Sequence, residues 1–463
     1  MKHLGDRVED VKICYIGGGS RGWAWGLMCD LAKETAMSGK VYLYDIDQEA
    51  AKTNETIGNS IKQQIPDVGD WEYIAAPTIS EALSGADFVI ISILPGTFDE
   101  MHSDVHTPEE YGLYQSVGDT VGPGGIIRAL RTIPMYEVIA KAIRDYCPDA
   151  WVINYTNPMS VCVRTLYEVF PQIKAFGCCH EVFGTQMLLS KVVNEMLGVP
   201  DVPRQDIKVN VLGINHFTWL DKAYYKSHDL LPLYREYAKK HYDDMTGENT
   251  DDNWMNNAFK SLDIVKFDLF LRFGVIAAAG DRHLAEFCPR SWYLKDPETV
   301  ASWRFGLTSV DWRKEDLKKR LDRSKRLVSG EEKFVLKKTG EEGVRQMKAI
   351  LGLGDLVTNV NIPNYGQIPN LPLGAVVETN AYFTAGRVSP VHAGNIPTQV
   401  LSLVGPTCAN QETIVKAGVT KDLDLAFAAF VNDMQMDLPL KDARALFDKM
   451  IQNTKPYLQD YNL

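Results

Sequence analysis

Val11-Lys12-Ile13-Cys14-Tyr15-Ile16 runs directly into Gly17-Gly18-Gly19-Ser20-Arg21-Gly22. The first six residues, mostly apolar and bounded by glycine, predict a buried strand. The glycines at 17, 19 and 22 then fit GxGxxG at a strand-to-helix junction, the context in which that spacing has a mechanism. Gly17 permits the tight turn, and Gly19 lets the backbone approach a pyrophosphate. The helix expected over Trp23–Thr35 offers that group its N-terminal N–H donors. Gly17, Gly19, Ser20 and Gly22 are therefore the candidate dinucleotide-binding residues.

Working outward, the second strand, Val41–Tyr44, leads into Asp45, about 23 residues after Gly22 and near the distance at which a carboxylate reaches a ribose hydroxyl pair. That favours NAD over NADP, with Asp47 as the substitute for Asp45. Further strands are expected at Phe88–Ile93, Trp151–Asn154 and Ile173–Cys178, and helical spacing runs over Gln48–Gln64 and Pro134–Tyr146. The alternation predicts an α/β fold, an N-terminal Rossmann-like parallel sheet with helices on both faces. Past residue 200 strands such as Ile207–Leu212 and Ala375–Thr379 stand between long helical or irregular stretches, so an α+β C-terminal domain is expected. The expected division is 1–200 for NAD binding and 201–463 for substrate, metal and oligomerisation. The charged stretch Arg313–Val328, with Leu317, Leu321 and Leu327 on one face, reads as a solvated amphipathic helix.

Bulk properties agree with a folded globular protein. At 463 residues the chain exceeds the size at which single cores stop growing. Its 45% hydrophobic and 24% charged residues are the balance of a globular protein. A net charge of −11 argues against nucleic-acid or anionic-membrane partners, which require a clustered basic face. The N-terminus lacks a basic head and apolar core, and no apolar run approaches the about 18 residues that span a bilayer, so a cytoplasmic protein is expected. The eight cysteines show no regular pairing and are expected to be reduced.

Four clusters exceed what a dinucleotide fold requires: Gly118-Asp119-Thr120-Val121-Gly122-Pro123-Gly124-Gly125 with Arg128 and Arg131, Asn154-Tyr155-Thr156-Asn157-Pro158, Cys178-Cys179-His180-Glu181, and Gly213-Ile214-Asn215-His216. Each alone has a structural explanation as a turn, a loop or a satisfied core histidine. Together they differ, because Asn157 and Cys179 fall just beyond predicted strands, at the sheet edge where ligands bind. A thiolate and an imidazole there suit a divalent transition metal acting as a Lewis acid.

On these motifs the chain resembles glycoside hydrolase family 4 over nearly its whole length. Asp119–Pro134, Asn154–Ser160, the Cys-His pair, Gly213–Phe217, Asn361–Pro372, Val376–Phe383 and the His392–Pro397 loop all occur in the family's order. The resemblance implies a glycosidase that uses NAD and Mn2+. Hydride would leave sugar C3, a base would remove the C2 proton, the aglycone would be eliminated, water would add, and the hydride would return, as an exception to two-carboxylate hydrolysis. Cys179-His180-Glu181-Val182 looks like the tetrad of the family's α-galacturonidases, implying a uronic acid glycoside as substrate.

By the same resemblance Cys179 and His216 hold the metal, and Asn157 binds the sugar. His180 donates a proton or orients substrate, and Asp119 lies beside the metal and sugar. The base is Asp281, ranked ahead of His283. Arg290, Arg272 or Arg282 would pair with the uronate carboxylate. A homodimer or homotetramer is implied. Two rival readings are an NAD-dependent 2-hydroxy-acid dehydrogenase and a non-catalytic NAD-binding regulator.

Overall fold

Among the described residues ten strands build one sheet and four build another. A computed structural model describes residues 1–243, 262–337 and 339–462. The first seven strands are β1 (Lys2–Leu4), β2 (Arg7–Ile16), β3 (Met37–Tyr44), β4 (Trp71–Ala75), β5 (Phe88–Ile91), β6 (Trp151–Asn154) and β7 (Lys174–Gly177). β8 (Ile207–Ile214), β9 (Phe217–Tyr225), β10 (His228–Asp229) and β11 (Ile276–Ala277) form the smaller sheet. β12 (Leu356–Pro363), β13 (Val376–Thr384) and β14 (Arg387–Pro390) return to the larger one, β12 lying antiparallel to β7.

Within the larger sheet β4-β3-β2-β5-β6-β7 are all parallel. Alternate residues of these strands feed two cores. Ile13, Tyr15, Val41, Leu43, Phe88 and Ile90 enter one, while Cys14, Ile16, Val89, Ile91 and Val152 enter the other. Burial on both faces explains why the end of β2, Ile13–Ile16, and all of β5 read as continuous apolar runs with no polar alternation. The chain leaves β2 and β5 toward opposite sides, and the switch point between these neighbours opens the crevice where such sheets bind ligands.

The expected strands are all present, with edges shifted by up to five residues. The larger difference is the helix Gly122–Tyr146, expected only from Pro134. The glycines read as a loop form its first turn. A Cβ on Gly124 would come within 2.6 Å of the Asp104 carbonyl oxygen, and one on Gly125 would strike the Thr120 backbone. Glycine there serves close packing. Residues 356–390 lie on the first sheet although they follow residue 200, so the later half contributes to both sheets. All eight cysteines are buried and free of disulfides. Among the described residues no helix is long and apolar enough to cross a membrane.

Candidate active site

The glycine turn is built by what surrounds it. Gly17 has φ +90°, and a Cβ there would collide with the Ser92 carbonyl oxygen at the end of β5. Gly19 donates its N–H to Asp45 Oδ2 at 2.8 Å, and a Cβ on Gly19 would sit 2.6 Å from that of Ala50. Ser20 Oγ accepts from the N–H groups of Gly22 and Trp23, at 3.4 and 3.2 Å. Asp47 caps the helix Gln48–Gln64 by accepting from Ala50 N, which separates it from Asp45 and leaves Asp45 as the carboxylate on the turn. Buried Asn54 donates to the carbonyls of Gly18 and Ser20 and accepts from Trp25 Nε1, so it fixes the turn from behind.

Asp119, His216 and His283 bring ligand atoms within 4.8 Å of one another. Asp119 precedes the helix Gly122–Tyr146, His216 lies in the β8–β9 turn, and His283 lies on the short helix Asp281–Glu286. The His216 and His283 ring centroids lie 4.0 Å apart, the planes tilted by 35°. Burial, reinforced by His283, lowers the His216 imidazole to about 3, and burial also lowers His283. Both are therefore neutral at neutral pH with lone pairs available. Burial alone would raise the Asp119 carboxyl, but Arg128 and the two histidines hold it well below the usual range.

Asn157 donates Nδ2 to Asp119 Oδ2 at 3.2 Å, and its Oδ1 is buried with no partner among the described residues. His283 Nδ1 is in the same state. Arg128 donates Nε to the Asn157 carbonyl at 3.0 Å and keeps a buried Nη1 unpartnered. Unsatisfied buried polar atoms that converge on one place mark a ligand site.

The remaining expected residues are placed differently. Cys179 is buried but stands outside the three-residue group. Burial, reinforced by Glu378 and Glu181, raises its thiol well above the ordinary range, and the Asn215 side chain sits against it. His180 has Nδ1 3.1 Å from Glu341 and Nε2 3.7 Å from Glu181. Asp281 is fully buried and accepts from the Lys266 N–H at 3.1 Å, with its charge directed at the Lys266 ammonium. Of the two candidate bases, Asp281 and His283, only His283 belongs to the three-residue donor group. Arg290 is held by Asp437 and two carbonyls, and Arg272 by Asp268 and Tyr293, so neither faces the site. Arg282 does lie near it, bonded to Ser116 and Thr308, and its charge reaches Asp119.

Two family models match: "Family 4 glycosyl hydrolase" over residues 12–195 and "Family 4 glycosyl hydrolase C-terminal domain" over 211–436. The chain belongs to glycosyl hydrolase family 4. It is 64% identical over all 463 residues, covering 100% of both chains, to a Thermoanaerobacterium saccharolyticum protein named alpha-galacturonidase. A Bacillus subtilis crystal structure described as a glucosidase superposes with TM-score 0.90 at 53% identity, covering 96% of this chain and 100% of that one. A 6-phospho-alpha-glucosidase from gut microorganisms, solved with NAD and Mn2+, shares the fold with TM-score 0.78 at 23% identity, covering 97% and 99%.

In this family 4 chain two supporting residues had no role assigned from sequence, Glu181, quoted only within its motif, and Glu286. Glu181 accepts from Gly280 N at 2.6 Å and lies 3.7 Å from His283 Nε2. Burial would raise its carboxyl, yet His283, His180 and His216 hold it at about 2. Glu286 accepts from the N–H groups of Val117 and Gly118 at 2.7 and 2.8 Å, tying the Asp119 loop to the His283 helix. The signal for Glu286 was its place three residues after His283, on nearly the same helical face.

Burial pushes the Glu286 carboxyl up to about 8. Unfolded, it ionises near about 4.3. Between those values the unfolded chain holds fewer protons, so the stability this group contributes at low pH is lost as pH rises through about 8. Glu286→Gln is therefore expected to gain on wild type in melting temperature between pH 5 and pH 8 by about 2 °C or more. Melting curves whose separation stays constant over that range would contradict the assignment.

Proposed function

We propose that this family 4 enzyme hydrolyses α-linked galacturonosides with NAD+ and Mn2+ as cofactors. The reading is carried by the Asp119–His216–His283 group, present beside a dinucleotide-type glycine turn in a chain 64% identical to a protein named alpha-galacturonidase. The residues fit both groups. Gly17 leaves no room for a side chain where backbone must stay open, and oxygen and imidazole donors suit Mn2+.

When bound, NAD+ supplies a hydride acceptor at sugar C3 and the cation supplies Lewis acidity at the neighbouring sugar oxygens. His216 would hold the cation, with Asp119 as oxygen donor and Cys179 joining after its thiol proton is displaced. Asn157 would orient a sugar hydroxyl through its unpartnered Oδ1. His283 would take the proton from sugar C2 through Nδ1, because Glu181, ionised beside Nε2, stabilises the charge the ring acquires. His180, at the start of the helix Glu181–Leu197, would deliver a proton to the departing oxygen at C1. Arg128, Arg282 and Arg313, each acting on Asp119, supply positive charge for a uronate carboxylate.

The same reading places the enzyme in the cytoplasm, supported by its eight free cysteines, and assigns it a homodimeric or homotetrameric state. The test is hydrolysis of p-nitrophenyl α-D-galacturonide beside the α-galactoside and α-glucuronide, with NAD+, Mn2+ and a thiol. The galacturonide is expected to lead the galactoside by about a hundredfold in kcat/KM, the worth of a charge-assisted pair, and to need both cofactors. Preference for the galactoside would refute the uronate reading. Stoichiometric NADH from a hydroxy acid, with no glycoside cleaved, would put a dehydrogenase in its place.

A further inference from the structure

Behind the cation site lies a buried carboxylate that the mechanism does not use. Glu378, on β13, is 1% exposed and faces Asn361 across the β12–β13 ladder. Its Oε1 accepts from Asn359 Nδ2 at 2.6 Å and its Oε2 accepts from Asn215 Nδ2 at 3.2 Å. Each asparagine leads to one expected cation ligand. Asn359 Nδ2 also donates to the Cys179 carbonyl at 3.2 Å, and Asn215 is the residue before His216. Asn215 and Asn359 are themselves buried, 0% and 3% exposed.

We propose that Glu378 is the positioning residue of the cation site, one carboxylate whose two oxygens set the Cys179 and His216 segments against each other. The inference rests on the reading of Cys179 and His216 as cation ligands. The two segments come from different sheets, β7 ending just before Cys179 and β8 just before Asn215, so neither fixes the other through its own ladder. A buried carboxylate is costly compared with an apolar residue of its size, and a purely structural contact between strands has no need of it. What a carboxylate does that an amide cannot is accept through both of its terminal atoms, Asn359 on one oxygen and Asn215 on the other. Outer-shell groups of this kind orient metal ligands, and their loss typically costs about 10- to 100-fold in metal affinity.

Glu378→Gln keeps the shape but turns one acceptor into a donor, so one asparagine arm loses its partner. Mn2+ binding is measured by the electron paramagnetic resonance of the free ion, beside NAD+ affinity by calorimetry and the melting temperature. The expected result is a Mn2+ Kd raised about 10- to 100-fold with NAD+ affinity within about twofold of wild type, and kcat recovering as Mn2+ is raised. Asn359→Ser, which cuts only the Cys179 arm, is expected to raise the Mn2+ Kd by about threefold or more. It carries the test if Glu378→Gln fails to fold. Wild-type Mn2+ affinity in the folded variant, with His216→Ala impaired, would overturn the role of Glu378 alone. Wild-type affinity in His216→Ala would overturn the cation site itself and this role with it.

Discussion

His216→Ala is expected to abolish Mn2+ binding and to lower turnover of an aryl α-galacturonide by about a thousandfold or more. His216 is 4% exposed, and its imidazole, lowered to about 3, is neutral at any working pH. It is also the member common to the observed donor group and the pair expected from sequence. Metal Lewis acidity is worth several kcal/mol of transition-state stabilisation, and each about 1.4 kcal/mol is tenfold in rate. NAD+ affinity should be retained, because the Gly17 turn and Asn54 are held by contacts that do not involve His216. Calorimetric titration with each cofactor separates the two effects. Full turnover with Mn2+ binding intact would remove His216 from the chemistry.

The second large effect is expected for His283→Ala, with kcat lower by about 10²- to 10⁴-fold, the usual contribution of a positioned acid or base. The diagnostic readout is exchange of the sugar C2 hydrogen with deuterated solvent, which should disappear, while Mn2+ affinity stays within about threefold of wild type. Asp281→Asn supplies the contrast. Removing that charge weakens the compensation of the buried Lys266 ammonium, whose ion pair with Asp263 at 2.7 Å remains, so stability should fall by about 1 kcal/mol. C2 exchange should survive in that variant. Loss of exchange in Asp281→Asn, with the fold intact, would return the base to Asp281.

That contrast shows where sequence reading stopped. Asp281 and His283 are two residues apart on one helical turn, about 200° around the axis, so only one can face the crevice. Nothing in the linear order says which. The helix Gly122–Tyr146 illustrates the same limit, since its glycine-rich first turn is helical only because Asp433 and Gln115 from elsewhere accept the N–H groups of Gly122 and Gly124. Arg290 behaved likewise, since Asp437, which holds it, lies 147 residues away and becomes a partner only when the chain is folded, whereas Arg272 has its acid, Asp268, one helical turn before it.

By itself the sequence determined what local physics controls. The Val11–Gly22 strand and turn, the alternation that makes a parallel sheet, and the position of Asp45 all depend on neighbours close in the chain or on a regular repeat. The order of separated motifs added the family. Tertiary structure decided the site, because Asp119, Asn157, His216 and His283 arrive from four elements, and Glu378 joins them from a strand laid on the far side of the sheet. Contacts between residues so far apart are set by packing of the whole core, and no periodicity in the sequence encodes them.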